Sequence, residues 1–242
     1  MEAIKTVGLT KKYKNLNAVD HLDLEIRAGE LFTLLGVNGA GRTTAIKLLS
    51  CLIRPTAGDA WVGGIRVTEA PLAVKGIIGV SPQETAVAPN LTAKENLELL
   101  CGIHSFSKEK TAGKIAALSE RFGLSAILDR KAGILSGGWQ RRLSIAMALI
   151  SEPKILFLDE PTLGLDVIAR SELWEIIRSL KGSVTVILTT HYMEEAECLS
   201  DRIGIMKSGR LCFTGTAGEL MAATGADTFE NAFITVVREE KH

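Results

Sequence analysis

The sequence has no excess of charge of either sign. Its 242 residues carry 28 Lys and Arg against 28 Asp and Glu. That balance excludes a wholly basic nucleic-acid coat and an acidic disordered tail. No run approaches about 18 uninterrupted apolar residues, so the chain itself cannot span a bilayer. The first residues, Met1-Glu2-Ala3-Ile4-Lys5, lack the apolar core of a signal peptide. Cysteine is scarce, and Cys51, Cys101, Cys198 and Cys212 form no C-x-x-C pair. This argues against a zinc site or a disulfide framework and for a reducing cytosol. There is no repeat, low-complexity stretch or long linker. What is abundant is apolar: 46% of residues, with a mean hydropathy of +0.20. This suits strands buried on both faces, or a chain that docks onto a larger apolar assembly.

Short apolar runs alternate with amphipathic helical patterns. Leu22 to Ile26 alternates with period two and meets Ala28-Gly29, a hairpin-like pattern. Glu30 to Leu35 reads as a strand running into glycines, and Thr43 to Leu52 as a helix ended by Arg54-Pro55. Ala60 to Val62, Ile77 to Val80, Ile155 to Leu158 and Val184 to Thr190 read as further strands. Thr92 with Glu95 predicts a capping box, and Lys108 to Phe122 a helix with Ile115, Leu118 and Phe122 inward. Residues 82–150 therefore read as a mostly helical insertion. Leu173, Ile176, Ile177 and Leu180 mark one face of a later helix, and residues 203–213 a terminal hairpin. Apolar strands alternating with helices predict a parallel sheet covered on both sides. Eight basic against three acidic residues from Lys108 to Arg142 read as a solvated face.

Three motifs carry chemistry. Gly36-Val37-Asn38-Gly39-Ala40-Gly41-Arg42-Thr43-Thr44 follows a strand and opens a helix, with the spacing of a phosphate-binding P-loop. Glycines let the backbone curl around phosphate with its N–H groups inward, and the helix N-terminus adds a favourable dipole. Thr43 is placed to offer its hydroxyl to Mg²⁺. In Ile155-Leu156-Phe157-Leu158-Asp159-Glu160, a buried strand delivers two acids to the carboxyl edge of a parallel sheet, where ligands bind. Asp159 can hold Mg²⁺, commonly through water, and Glu160 can polarise a nucleophilic water. Ser136-Gly137-Gly138 opens a helix whose free N–H groups and hydroxyl make an anion site.

In that order and at those intervals, the three motifs resemble an ABC-type ATPase, the nucleotide-binding subunit of an ABC transporter. The likeness covers about residues 3–220. Leu135 to Leu143 resembles the family signature, with Ser136, Gly137, Gly138 and Gln140 facing a partner's ATP. Pro82-Gln83 resembles the Q-loop, with Gln83 sensing the γ-phosphate and near Mg²⁺. Asp166 resembles the D-loop aspartate or a plain helix N-cap, His191 the switch histidine, and Tyr13 the aromatic that stacks on adenine. Residues 161–167, 189–196 and 228–233 resemble the ATPases of ABC-2 type exporters; the last, with Phe229, Ala232, Phe233 and Val236 on one side, also reads as a helix capping the chain's own core.

The resemblance implies an α/β P-loop fold with a parallel-sheet core, a small antiparallel β lobe and an inserted helical subdomain. The implied core lobe spans about 1–82 and 151–220, the helical subdomain about 83–150, and a C-terminal helical extension 221–242. It implies ATP and Mg²⁺ as ligands, hydrolysis by Glu160, His191 and Gln83, and membrane-spanning transporter subunits as partners. It also implies pairing with a second copy or a related chain, and a cytoplasmic place on the membrane's inner face. Nucleic acid is not an expected partner. Two positions depart from the family pattern: Arg42 stands where Lys is expected, and Val37 where proline is common. Arg replaces a compact ammonium by a longer planar fork, which is not conservative in a tight phosphate cradle. The alternatives are an ABC-type ATPase with a non-membrane partner, or a binding-only form weakened by Arg42.

Overall fold

The computed structural model describes residues 2–238. From the N-terminus run β1 (Glu2–Tyr13), β2 (Leu16–Arg27), β3 (Leu31–Gly36), α1 (Arg42–Leu49), β4 (Ala57–Val62), β5 (Ile65–Arg66), α2 (Pro71–Lys75) and β6 (Ile78–Ser81). Three helices follow: α3 (Ala93–Ile103), α4 (Lys108–Phe122) and α5 (Gly137–Leu149). The chain then returns through β7 (Ile155–Asp159), α6 (Val167–Ser179), β8 (Thr185–Thr190), α7 (Met193–Leu199), β9 (Arg202–Lys207) and β10 (Arg210–Gly215). It closes with α8 (Ala217–Thr224) and α9 (Phe229–Arg238); the end of the expected 221–242 extension lies outside the described residues.

Six strands form one sheet in the order β10-β9-β3-β8-β7-β6, and β2-β1-β4-β5 form a second, antiparallel sheet. In the larger sheet β3, β6, β7, β8 and β9 run parallel, and only β10 turns back. Every residue of β3, β7 and β8 is buried, as a sheet covered on both faces requires. Each buried Leu, Ile or Phe there contributes about 1.5–3 kcal/mol of apolar transfer free energy. On one side the core includes Leu97, Phe122, Leu143 and Leu173 from the helices. On the other, Ile46 and Leu49 of α1 meet Leu9, Leu22 and Ile26 of the antiparallel sheet.

The capping box at Thr92 and Glu95 forms with both reciprocal bonds, and the helix expected over 108–122 is α4. The pattern at Leu22 to Ile26 is a strand but not half of a hairpin with the next one. β2 pairs with β1, whereas β3 leaves for the other sheet. The turn at Ala28-Gly29 is thus a crossing between sheets, a choice that periodicity cannot express. The 12-residue β1 was not legible because register shifts interrupt its pairing and blur its alternation. At the tail, Phe229, Ala232 and Phe233 are buried against Leu35, Ile203, Ile205 and Leu220, so this face of α9 covers the chain's own core.

Register fixes what meets at the carboxyl edge. Leu35 of β3 lies opposite Thr190 of β8, and Asp159 of β7 opposite Thr189. The loop after β3, the acids ending β7 and the histidine after β8 are thereby brought to one edge, where open α/β sheets bind ligands.

Candidate active site

Between β3 and α1 the chain makes the curl that its glycines foretell. Gly41 sits at φ +103°, and a Cβ there would lie 2.2 Å from the Ala18 carbonyl oxygen. Any side chain would therefore force apart two backbone segments as well as strain φ. The first intrahelical bond of α1 runs from Ala45 N–H to the Gly41 oxygen at 2.9 Å, leaving the N–H groups of Arg42, Thr43 and Thr44 ahead of the ladder. Beside them is a cavity of about 480 Å³ lined by Tyr13, Leu16, Asn17, Ala18, residues 39–44 and Ser208. That is ligand-sized. Gly36 lies at the end of β3, and Val37 and Asn38 are exposed on the approach to the loop. Tyr13 is 45% exposed, with Lys11 Nζ 5.2 Å from its ring centroid, so one route to the ring is occupied by a cation. Asn17, Ala18 and Ser208 carry no phosphate-binding signature in sequence. They arrive because the β9–β10 turn bonds to the loop, Gly209 N–H donating to Ala40 O at 2.9 Å.

Opposite the loop, Thr43 Oγ1 donates to Asp159 Oδ1 at 3.2 Å, and Thr189 Oγ1 donates to the same oxygen. Glu160 is 6% exposed at φ +49°, a conformation that costs a non-glycine residue about 1–3 kcal/mol. Two bonds hold it there, from its N–H to Thr189 O and to Thr189 Oγ1, both at 3.1 Å. Its carboxylate is engaged on both sides. Arg42 Nη1 lies 2.6 Å from Oε1 and His191 Nδ1 lies 2.8 Å from Oε2. The Arg42 contact is an ion pair without hydrogen-bond alignment, since Nη1 has no hydrogen-bond partner. The residue read from sequence as a phosphate ligand is thus turned onto the residue read as the water-polarising base.

The remaining expected residues are placed as follows. Gln83 is exposed in the loop after β6. Ser136 is the N-cap of α5, yet its side chain makes no capping bond, and Gly137 and Gly138 form the first turn. Gln140, expected beside them toward a partner, makes bonds within its own chain. Its Nε2 donates to Ala132 O at 3.1 Å and Leu135 O at 3.2 Å. Asp166 caps α6, accepting from Ala169 N–H at 2.9 Å. No hydrogen bond or ion pair among the described residues joins 136–138 to 36–44.

With these features in place, the comparisons decide the family. Residues 19–163 match the ABC transporter family. This chain belongs to the ABC transporter family. It is 42% identical to the daunorubicin/doxorubicin resistance ATP-binding protein DrrA of Streptomyces peucetius, over 93% of this chain and 68% of that one. A solved ATP-binding subunit of an ABC transporter superposes with a TM-score of 0.87 at 25% identity, covering 98% of this chain and 100% of that one. A dimeric ATP-binding cassette in a post-hydrolysis state bound to ADP and Pi gives 0.80 at 28%, covering 88% and 98%. The P-loop ATPase fold expected from sequence is the fold found, and the chain is an ATPase of the kind that powers an ABC transporter. Among the described residues no helix is long and apolar enough to cross a membrane.

Behind this ABC site lies an acid that the motifs did not flag. Glu195, four residues past His191 on α7, is fully buried. Its Oε1 accepts from Thr162 Oγ1 at 2.9 Å and from Trp174 Nε1 at 3.0 Å, while Oε2 is buried without a partner. Burial holds its carboxyl above the usual carboxylate range; the nearby Glu160 charge adds to this, and the hydroxyl and indole donors oppose it. The folded chain keeps a proton that the unfolded chain releases above its ordinary value of 4.5. Stability therefore falls as pH rises from there toward the raised native value. Glu195→Gln keeps the accepting oxygen and removes the titration. The variant is expected to melt above the parent at about pH 7.5, with the gain shrinking toward about pH 5. Thermal melts across that series check it, and a difference that does not vary with pH contradicts it.

Proposed function

We propose that the chain binds ATP with Mg²⁺ in the cavity beside the P-loop, hydrolyses it slowly, and transmits the work to separate membrane-spanning subunits of an exporter. The observation that carries this is the meeting at one sheet edge of uncommitted N–H groups, Thr43 beside Asp159, and Glu160 beside His191. In this reading Tyr13 stacks on adenine, and the backbone of residues 36–44 and the Arg42 charge hold the phosphates. Glu160 takes up the proton of the attacking water, while His191 and Gln83 contact the γ-phosphate. Because phosphoryl transfer is mostly positioning and charge stabilisation, these parts suffice. The resistance name of the Streptomyces relative supports an exporter.

The residues fit Mg²⁺. Adjacent ligands of an octahedral ion with bonds of about 2.1 Å lie about 3 Å apart, and Thr43 Oγ1 and Asp159 Oδ1 are 3.2 Å apart. Thr43 and Asp159 would hold the ion, with Gln83 at its side; bound, it would neutralise phosphate charge. Among the described residues no group of three His, Cys, Asp or Glu side chains is arranged to hold a metal unaided, which supports an ion that arrives with the nucleotide.

Residues 83–150 act as the helical subdomain that presents Ser136 to Gly138 to the ATP of a second copy or a related chain, placing the pair on the cytoplasmic face of the membrane. The signature's uncommitted hydroxyl and its lack of any bond to the P-loop of the same chain support this. Titration calorimetry with ATP and Mg²⁺ tests the nucleotide site. Heat of binding is expected, since backbone amides supply most phosphate contacts whatever residue 42 is. No heat and no thermal shift at about millimolar nucleotide, a binding free energy weaker than about 4 kcal/mol, would overturn the reading.

A further inference from the structure

The basic stretch read as a solvated face contains one cation that is buried outright, and Lys114 and Arg142 are largely covered as well. Arg141, in the second turn of α5, is 4% exposed. Burial pulls its guanidinium below the usual value, and the charges of Asp159 and Glu195 offset this only from a distance. Among the described residues it makes no ion pair. Its fork is spent on two consecutive main-chain carbonyls, Nη1 donating to Pro82 O at 2.7 Å and Nη2 to Gln83 O at 2.6 Å. A buried cation satisfied only by carbonyls is a costly way to hold a loop. Two further ties flank it on the same helix face. Ser144 Oγ lies 3.0 Å from Ser81 Oγ, and Gln140 Oε1 accepts from Thr85 Oγ1 at 3.4 Å. The helix that begins with Ser136-Gly137-Gly138 is thus laced to the loop that carries Gln83.

We propose that Arg141 is a positioning residue that makes the Gln83 loop and the signature move as one body. A γ-phosphate contacted by Gln83 in one chain would then set how that chain offers its signature to the nucleotide of its partner. Arg141 couples the two sites of a pair, with the Ser144–Ser81 and Gln140–Thr85 ties beside it. This rests on the nucleotide and pairing roles proposed above.

Amide hydrogen exchange on the full chain tests it, at a concentration where light scattering shows monomers. Adding ATP with Mg²⁺ to the parent is expected to slow exchange about threefold or more in both 81–85 and 135–139. In Arg141→Lys a single ammonium cannot reproduce the planar two-donor fork, so the slowing stays at 81–85 and is lost at 135–139. Arg141→Met, which keeps the stem without donors, is expected to do the same, with its melting temperature reporting folding. Slowing confined to 81–85 in the parent, or persisting at 135–139 in the Lys variant, overturns the coupling. Slowing nowhere in the parent shows that the nucleotide reading has failed, and the coupling falls with it.

Discussion

Replacing Arg42 by lysine is expected to raise ATP turnover at least about tenfold, which needs only about 1.4 kcal/mol of transition-state stabilisation. Both carboxylate oxygens of Glu160 are taken, one by Arg42 at 2.6 Å and the other by His191 at 2.8 Å. Each partner competes with an attacking water for those oxygens. Both ends of the Arg42–Glu160 pair are more than nine-tenths buried. Separating such a pair exposes an uncompensated charge, at a cost of about 3–5 kcal/mol when one partner is removed. On the proposed reading, a γ-phosphate draws Arg42 away from Glu160 before the water is activated. Lysine offers a compact ammonium on an unbranched stem, which reaches phosphate without a fork to hold the carboxylate. Steady-state phosphate release at saturating ATP from the two forms is the measurement. A Lys form no faster than the parent would show that Arg42 is tolerated and that the ion pair does not limit the reaction.

Glu160→Gln is expected to lower hydrolysis at least about a hundredfold, the usual loss when a general base is removed. It is also expected to accumulate an ATP-bound pair of chains. Made alone, the change would leave the buried guanidinium of Arg42 without its counterion, so it belongs in the Arg42→Lys background. With water activation removed, ATP stays between the P-loop of one chain and Ser136 to Gly138 of the other. Two-fold symmetry then buries two equivalent nucleotides. Without ATP the facing sites are unscreened positive helix ends, and the chains should remain apart. Light scattering of the doubly changed chain with and without ATP, at tens of micromolar, reads the outcome. A species that stays monomeric with saturating ATP would count against self-pairing and point to a related chain as the partner.

Much of this chain was determined by sequence alone. The P-loop is legible because phosphate binding demands glycines at set intervals before a helix, and Gly41 could bear no side chain against Ala18. The acids are legible because an apolar run ending in Asp159-Glu160 reads as a buried strand that reaches a sheet edge. Local rules also sufficed for the capping box at Thr92 and the cap at Asp166. What the tertiary structure alone decided are contacts between segments far apart in the chain. Asn17, Ala18 and Ser208 join the cavity through the pairing of turns. The exposed-looking Arg141 is buried because two carbonyls of a distant loop accept its charge. Glu195 is held in the interior by Thr162 and Trp174. Arg42 meets Glu160 through the register of β3, β7 and β8. Periodicity and spacing report one segment's own faces. A polar side chain's partner, and so its charge and its role, depends on which other segment packing brings within about 3 Å.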